Sequence, residues 1–294
     1  MITVTFIRHG ESTDNLKPVW AGWADAPLSN HGMTQAVALG QGFSNVRLTA
    51  IYASPLKRAH STAQALQAAQ QPPIPDLIVS PLLREQNFGI AEGQKWSSRF
   101  DSNMTLEEHI KRGIYPVLPG RVQKFPDGES LNDVQARTEQ AIDEIVMPYV
   151  REGAKPGCQG AHIAIVSHGL AISELIAALM RKDATERVRD GGTYRGLYNT
   201  AWTRVQINIP PLMTGGAVDA SASELPPLQI RVTHVNVKTH LDNVKRQPGG
   251  LGRTAYDPKQ KDIRAFFGGG APIATGTEGR SESNVHDEVD IETK

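Results

Sequence analysis

The sequence predicts an α/β fold, a three-layer sandwich in which a mostly parallel central sheet is flanked by helices. Three observations point to it. Short, apolar, β-branched segments alternate with segments of helical period along most of the chain. The apolar runs are continuous, as in strands covered on both faces. Two of them also end alike, in Phe6-Ile7-Arg8-His9-Gly10 and Ile165-Val166-Ser167-His168-Gly169. With 294 residues the chain can bury a sizeable core in one large domain or two small ones.

The elements follow in order. Residues 2–7 are apolar and β-branched and read as a buried strand. Residues 51–54 form a second short strand. Ser54-Pro55 then opens a helix, with Ser as N-cap and Pro at the first helical position. Ala63, Leu66 and Ala69 supply its buried face, and Pro72-Pro73 closes it. A strand is expected at 77–79. The 94–125 segment has no single period. Leu131 to Val150 has helical spacing at Val134, Ala141, Ile145 and Val146, with Pro148 late in the pattern. His162 to Val166 is a buried strand, followed by an apolar helix from Leu170 to Met180. Strands near 201–209 and 228–237 flank a Pro/Gly/Ser-rich loop at 210–227. Apolar periodicity stops near Asp242, so a domain over 1–241 and a disordered polar tail over 242–294 are expected.

Composition narrows the classes. The most apolar stretch, Ile163 to Met180, is interrupted by Ser167, His168, Ser173 and Glu174, so no transmembrane helix is expected. No basic segment followed by an apolar run opens the chain, and a cytoplasmic protein is expected. Cys158 is the one cysteine, which fits a reducing compartment. The 31 basic and 31 acidic side chains cancel, which argues against direct nucleic-acid binding. The balance is local, however: residues 234–267 hold seven Lys/Arg against three Asp/Glu, and 268–294 hold two against six.

Ligands of open α/β sheets bind beyond the carboxyl ends of strands, where both histidines fall. Arg58 adds a separate clue. With Lys57 it sits in the first turn of a helix, where a cation opposes the dipole at a cost of a few tenths to about 1 kcal/mol. An anion bound there reverses the argument. Arginine forks bind phosphate oxygens, and a neutral imidazole can attack phosphorus. No Walker loop, dinucleotide fingerprint or metal-ligand cluster competes, so no cofactor and no metal are expected.

These residues carry a resemblance. Arg8-His9-Gly10-Glu11-Ser12, with Asn15, is similar to the signature of the histidine phosphatase superfamily, which is phosphoglycerate mutase-like in fold. The match continues through Gly22 to Ser29, Gly32 with Gln35-Ala36, and Ser54 to Ala59 with Thr62-Ala63. It extends through Leu83-Arg84-Glu85, Phe88-Gly89 and Glu92-Gly93, Pro126 to Ser130, and Val166 to Gly169. The resemblance implies a metal-independent histidine acid-type phosphatase acting on a phosphomonoester. His9 would become phosphohistidine. Arg8, Arg58 and His168 would form the phosphate pocket, Asn15 would add a donor, and Gly169 would let the backbone approach. Glu85 would be the general acid and then the base. It lies just past an apolar segment, where a carboxyl can hold a proton. Ser12, Gly22 and Glu129 are candidates for substrate binding. Glu11 and Glu129 either orient the pocket or pair with an arginine.

Mutases of the family carry Arg after the catalytic Glu, where this chain has Gln86. The overall look is nearest to TIGAR-type and fructose-2,6-bisphosphatase-type phosphatases, including Asp25 to Ser29 and the late Asn236…His240-Leu241. A small phosphorylated metabolite such as a sugar bisphosphate is therefore the expected substrate, with Lys111, Arg112 and Arg121 as candidate contacts to a second phosphate. Phosphoglycerate mutase-type transfer is the alternative.

A motif of another class lies in the tail. Gln260, Ile263, Phe266 and Phe267 resemble the PCNA-interacting peptide pattern, a helical turn that plugs apolar side chains into a partner's pocket. The 260–267 segment would then make the chain an interaction subunit of a nuclear complex. It could equally pack back on the parent domain.

Overall fold

The computed structural model describes residues 1–155, 157–158, 160–183, 194–209, 227–257 and 259. In chain order the elements are β1 (Ile2–Arg8), α1 (Asn30–Gly42), β2 (Ala50–Ala53), α2 (Lys57–Ala68), β3 (Asp76–Val79), β4 (Trp96–Ser97) and α3 (Leu106–Lys111). Then come β5 (Tyr115–Pro116), α4 (Leu131–Ala141), α5 (Met147–Gly153), β6 (His162–Ser167), α6 (Gly169–Met180), β7 (Trp202–Asn208) and β8 (Gln229–Val237). The main sheet runs β3-β2-β6-β1-β7-β8. The first four strands are mutually parallel, and β7 is antiparallel to both its neighbours.

Strand period places the two cores. Ile2, Val4 and Phe6 of β1 and Ile163 and Ile165 of β6 point to one face, where α4, α5 and α6 cover them. Ile7 of β1 and Ala164 and Val166 of β6 point to the other, under α1 and α2. β6 is thus apolar on both faces and does not alternate, whereas β1 alternates, with Thr3 and the fully buried Thr5 sharing the face of Ile7. A third cluster, built on Trp20, Phe88, Ala91 and Phe125, sits apart from these two, and Trp96 and Tyr115 of the small β4-β5 ribbon pack against it.

Four differences from the sequence expectation have physical causes. Helix α2 starts at Lys57 with Leu56 as its N-cap, not at Ser54. Asp25 Oδ1 accepts from the Lys57 N–H at 2.6 Å and does the capping from another loop. The helix expected over 131–150 is interrupted by a wide π-type turn at Ile142–Val146. Pro148 lacks the N–H that would bond Glu144 and its ring crowds that carbonyl, so the ladder widens there. The 94–125 segment contains α3, opened by a Thr105/Glu108 capping box. Finally, the domain does not stop at residue 241. Arg246 pairs with Glu11, Asn30 N–H donates to the Thr254 carbonyl, and Tyr256 N–H donates to the Leu28 carbonyl. Residues 242–257, expected in the tail, therefore strap across the start of α1. Most of the 210–227 loop and the 260–267 motif, with Gln260, Ile263, Phe266 and Phe267, lie outside the described residues.

Candidate active site

Parallel pairing of β1 with β6 sets Arg8 opposite Ser167, so the next residues, His9 and His168, emerge side by side at the carboxyl edge of the sheet. Their ring centroids are 5.0 Å apart and both are buried. His9 Nδ1 lies 2.6 Å from the Gly10 carbonyl. A carbonyl only accepts, so Nδ1 carries the proton and the lone pair is on Nε2. His168 Nε2 lies 2.8 Å from Ser54 Oγ at the end of neighbouring β2. Its Nδ1 is buried with no hydrogen-bond partner, as is Arg8 Nε. Burial first, then the Arg58 and Arg8 guanidiniums, holds His9 well below the ordinary imidazole value of 6.5. Burial and Arg58 also lead the causes for His168. Both rings are neutral near pH 7.

Arg58 is 2% exposed in the first turn of α2. It donates to the Gly22 and Ala24 carbonyls at 2.7 Å each. A guanidinium has five N–H donors, so donors remain for an anion. Gly22 holds φ +48°, and a Cβ there would collide with the Glu92 carboxylate and the Phe88 ring. Only glycine lets this carbonyl reach Arg58. Arg8 donates to the Leu197 carbonyl at 2.5 Å. Asn15 Oδ1 accepts from Ser12 N–H and Oγ–H, which leaves its amide N–H groups for a ligand.

The apolar niche expected around Glu85 is instead the N-terminus of α6. Its carboxylate accepts from Leu170 N–H at 3.2 Å, Ala171 N–H at 3.1 Å and Gln86 N–H at 2.9 Å. A Cβ at Gly169 would sit 3.9 Å from Glu85 Oε2, an ordinary contact, so this approach does not itself require glycine. Glu129 binds Arg137 through both oxygens at 2.9 and 3.0 Å. Arg137 also donates to the carbonyls of Leu82, Arg84 and Glu85. Trp23 Nε1–H donates to the same Glu85 carbonyl at 2.7 Å, and Arg84 stacks over the Trp23 ring.

A cavity of about 300 Å³ opens over this edge, and Arg8, His9, Asn15, Gly22, Arg58, Glu85, Glu129 and Gly169 all line it. His168 is fully buried beside His9 and is not itself part of the cavity wall. Ser12 is a correction: it is fully buried and fixes Asn15, away from the cavity wall. Lys111 and Arg112 are also elsewhere, at the exposed end of α3, where Lys111 pairs with Glu107. Arg121 forks onto the buried carboxylate of Glu174. None of these three lines the cavity. Glu11 pairs with Arg246 and accepts from Ser29 Oγ–H at 2.7 Å. Asn236 donates to the Gly196 carbonyl and His240 bonds Thr200, so the late segment braces the 196–200 loop. Sequence reasoning missed Arg137, Trp23 and the role of Ser54. Among the described residues no three His, Cys, Asp or Glu side chains gather as metal ligands, and no helix is long and apolar enough to cross a membrane.

Comparison with known proteins agrees with this geometry. The family model described as histidine phosphatase superfamily (branch 1) matches residues 4–208. A 2,3-bisphosphoglycerate-dependent phosphoglycerate mutase of Bartonella henselae is 32% identical over 187 residues, covering 60% of this chain and 81% of that protein. A probable phosphoglycerate mutase of Erwinia tasmaniensis is 28% identical over 249 residues, 84% of this chain and 100% of that protein. Among solved structures, the fold is shared with mycobacterial hydrolase 1 (TM-score 0.62, 24% identity, 81% of this chain and 100% of that one). It is also shared with a mycobacterial glucosyl-3-phosphoglycerate phosphatase (TM-score 0.59, 23% identity, 81% and 100%).

Proposed function

The chain belongs to the histidine phosphatase superfamily, and from that premise we propose that it hydrolyses a phosphomonoester through a phosphohistidine on His9. The observation that carries this is the 2.6 Å contact from His9 Nδ1 to the Gly10 carbonyl, which places the lone pair on Nε2 of a buried, neutral ring between two arginines. In the first step Nε2 attacks phosphorus and the bond from phosphorus to the ester oxygen breaks. Glu85, entering this step as the carboxylic acid, gives its proton to the leaving alkoxide and becomes the carboxylate. The Gly10 carbonyl stabilises the positive charge that grows on Nδ1–H. Arg8, Arg58, Asn15 and His168 bind the equatorial oxygens, with Nδ1–H of His168 donating while its Nε2 accepts from Ser54. In the second step Glu85 takes a proton from water. The oxygen attacks phosphorus, the N–P bond breaks and phosphate leaves.

Transfer between phosphoglycerates, the activity named for the curated relatives, is less well supported. At the position where mutases carry Arg, Gln86 is buried and donates to the Glu129 carbonyl at 2.7 Å. Purified protein should hydrolyse p-nitrophenyl phosphate in the presence of a chelator, and His9→Ala should not. Equal rates for the two proteins would overturn the mechanism.

A further inference from the structure

Beyond its phosphate floor, much of the cavity wall is carbon, with Gln123, Lys124 and Glu129 as polar residues on it. Trp20, Phe88, Trp96, Val117, Leu118 and Phe125 line it and belong to the third hydrophobic cluster or pack on it. Trp20 Nε1–H is already bonded to the Tyr115 carbonyl at 3.1 Å, so the indole offers a ligand only its carbon surface. Trp96, Val117 and Leu118 remain half-buried, which leaves apolar surface facing the space a leaving group would fill.

Among the described residues, the charges around this wall do not suit a second phosphate. Lys124 lines the cavity, but its ammonium is half exposed and 3.1 Å from Asp133. Arg195 lines the cavity in the loop whose Leu197 carbonyl holds Arg8. Glu129 also lines the cavity, but its carboxylate is taken up by Arg137 and offers an anion no donor. The residues expected to bind a second phosphate, Lys111, Arg112 and Arg121, lie outside it.

We propose that the substrate is the phosphomonoester of an apolar alcohol, not a sugar bisphosphate. This rests on the phosphatase reading above and adds the substrate class. A volume of about 300 Å³ holds roughly ten atoms of water size, enough for a phosphate and a short hydrocarbon. A sugar hydroxyl turned toward these side chains would lose its hydrogen bonds to water and find no partner, a penalty of about ten-fold or more in binding.

The test is phosphate release from ethyl, butyl and hexyl phosphate. These esters share leaving-group chemistry and differ in apolar length. The expected result is a rise in kcat/KM of about four-fold per methylene until the wall is covered. Leu118→Gln should flatten that gradient. A flat series, or a sugar bisphosphate preferred over hexyl phosphate, overturns this inference and leaves phosphohistidine chemistry standing. Failure to hydrolyse any of these esters, p-nitrophenyl phosphate included, overturns the reading on which it rests.

Discussion

Arg137 makes no contact with the space a substrate would fill, yet it determines where Glu85 stands. Its guanidinium holds both Glu129 oxygens and the carbonyls of Leu82, Arg84 and Glu85, at 2.8 to 3.2 Å. In Arg137→Ala the Glu129 carboxylate, with a side chain 18% exposed, loses its cation. Breaking a buried pair from one side costs about 3–5 kcal/mol, a large part of a typical domain stability of about 5–15 kcal/mol. The segment carrying Glu85 also loses three of its anchors, while the bond from Trp23 remains. A shift of about 1 Å at a catalytic group can cost about 100-fold, within the range of about 10² to 10⁴ that general acid catalysis supplies. The assay compares two substrates at a temperature where the variant is folded. Nitrophenolate leaves readily without a proton, whereas an alkoxide does not. We expect kcat to fall about 100-fold on butyl phosphate and only a few-fold on p-nitrophenyl phosphate. Arg137→Lys should recover part of the stability but little of the rate, because a point charge cannot span five acceptors. Equal losses on both substrates would mean that Arg137 only stabilises the fold and would refute its positioning role.

Ser54→Ala removes the hydroxyl that fixes His168 and should lower kcat about five- to ten-fold, equivalent to about 1 kcal/mol; an unchanged kcat would disconnect Ser54 from the reaction. Arg246→Ala leaves a buried Glu11 carboxylate with Ser29 as its one side-chain donor among the described residues and should lower stability by about 2 kcal/mol, read as the urea midpoint. Adding Glu11→Gln should restore part of that loss. Four histidines titrate far below 6.5 in the fold: His9 and His168 well below it, and His162 and His240 at about 4, all chiefly through burial. Because folding lowers these values, their contribution is complete above about pH 6.5 and lost as pH falls toward the folded values. The urea midpoint should therefore drop between about pH 6.5 and about pH 5, with a slope of up to about 1.4 kcal/mol per pH unit for each histidine. His162→Gln should make that slope shallower, and a midpoint constant over this window would contradict the assignment.

The parts of this molecule that follow local rules were legible in the sequence. β1 and β6 are short, largely apolar and β-branched runs because they are buried on both faces, and the strands end at Arg8 and Ser167, each followed by a histidine. Arg58 stood out because a cation in a first helical turn breaks a dipole rule that an anion would mend. What stayed hidden depends on contacts far along the chain. Ser54 reads as a helix cap beside Pro55, but its partner is His168, 114 residues away. Arg137 looks like any helical arginine, since nothing local shows that Leu82, Arg84 and Glu85 turn their carbonyls toward it. Residues 242–257 have a tail-like composition because they are held by backbone hydrogen bonds, by the Asn30 amide bonds to Leu251 and Thr254 and by the Arg246–Glu11 pair, none of which leaves an apolar pattern.

Everything proposed for the chemistry depends on a bond between phosphorus and His9 Nε2. The direct measurement is rapid quenching of the enzyme during turnover of a radiolabelled phosphomonoester, followed by peptide mapping. The expected result is acid-labile, base-stable label on the peptide containing His9, formed and lost fast enough to account for kcat. Full turnover with no protein-bound label, or label on a different residue, would contradict the account.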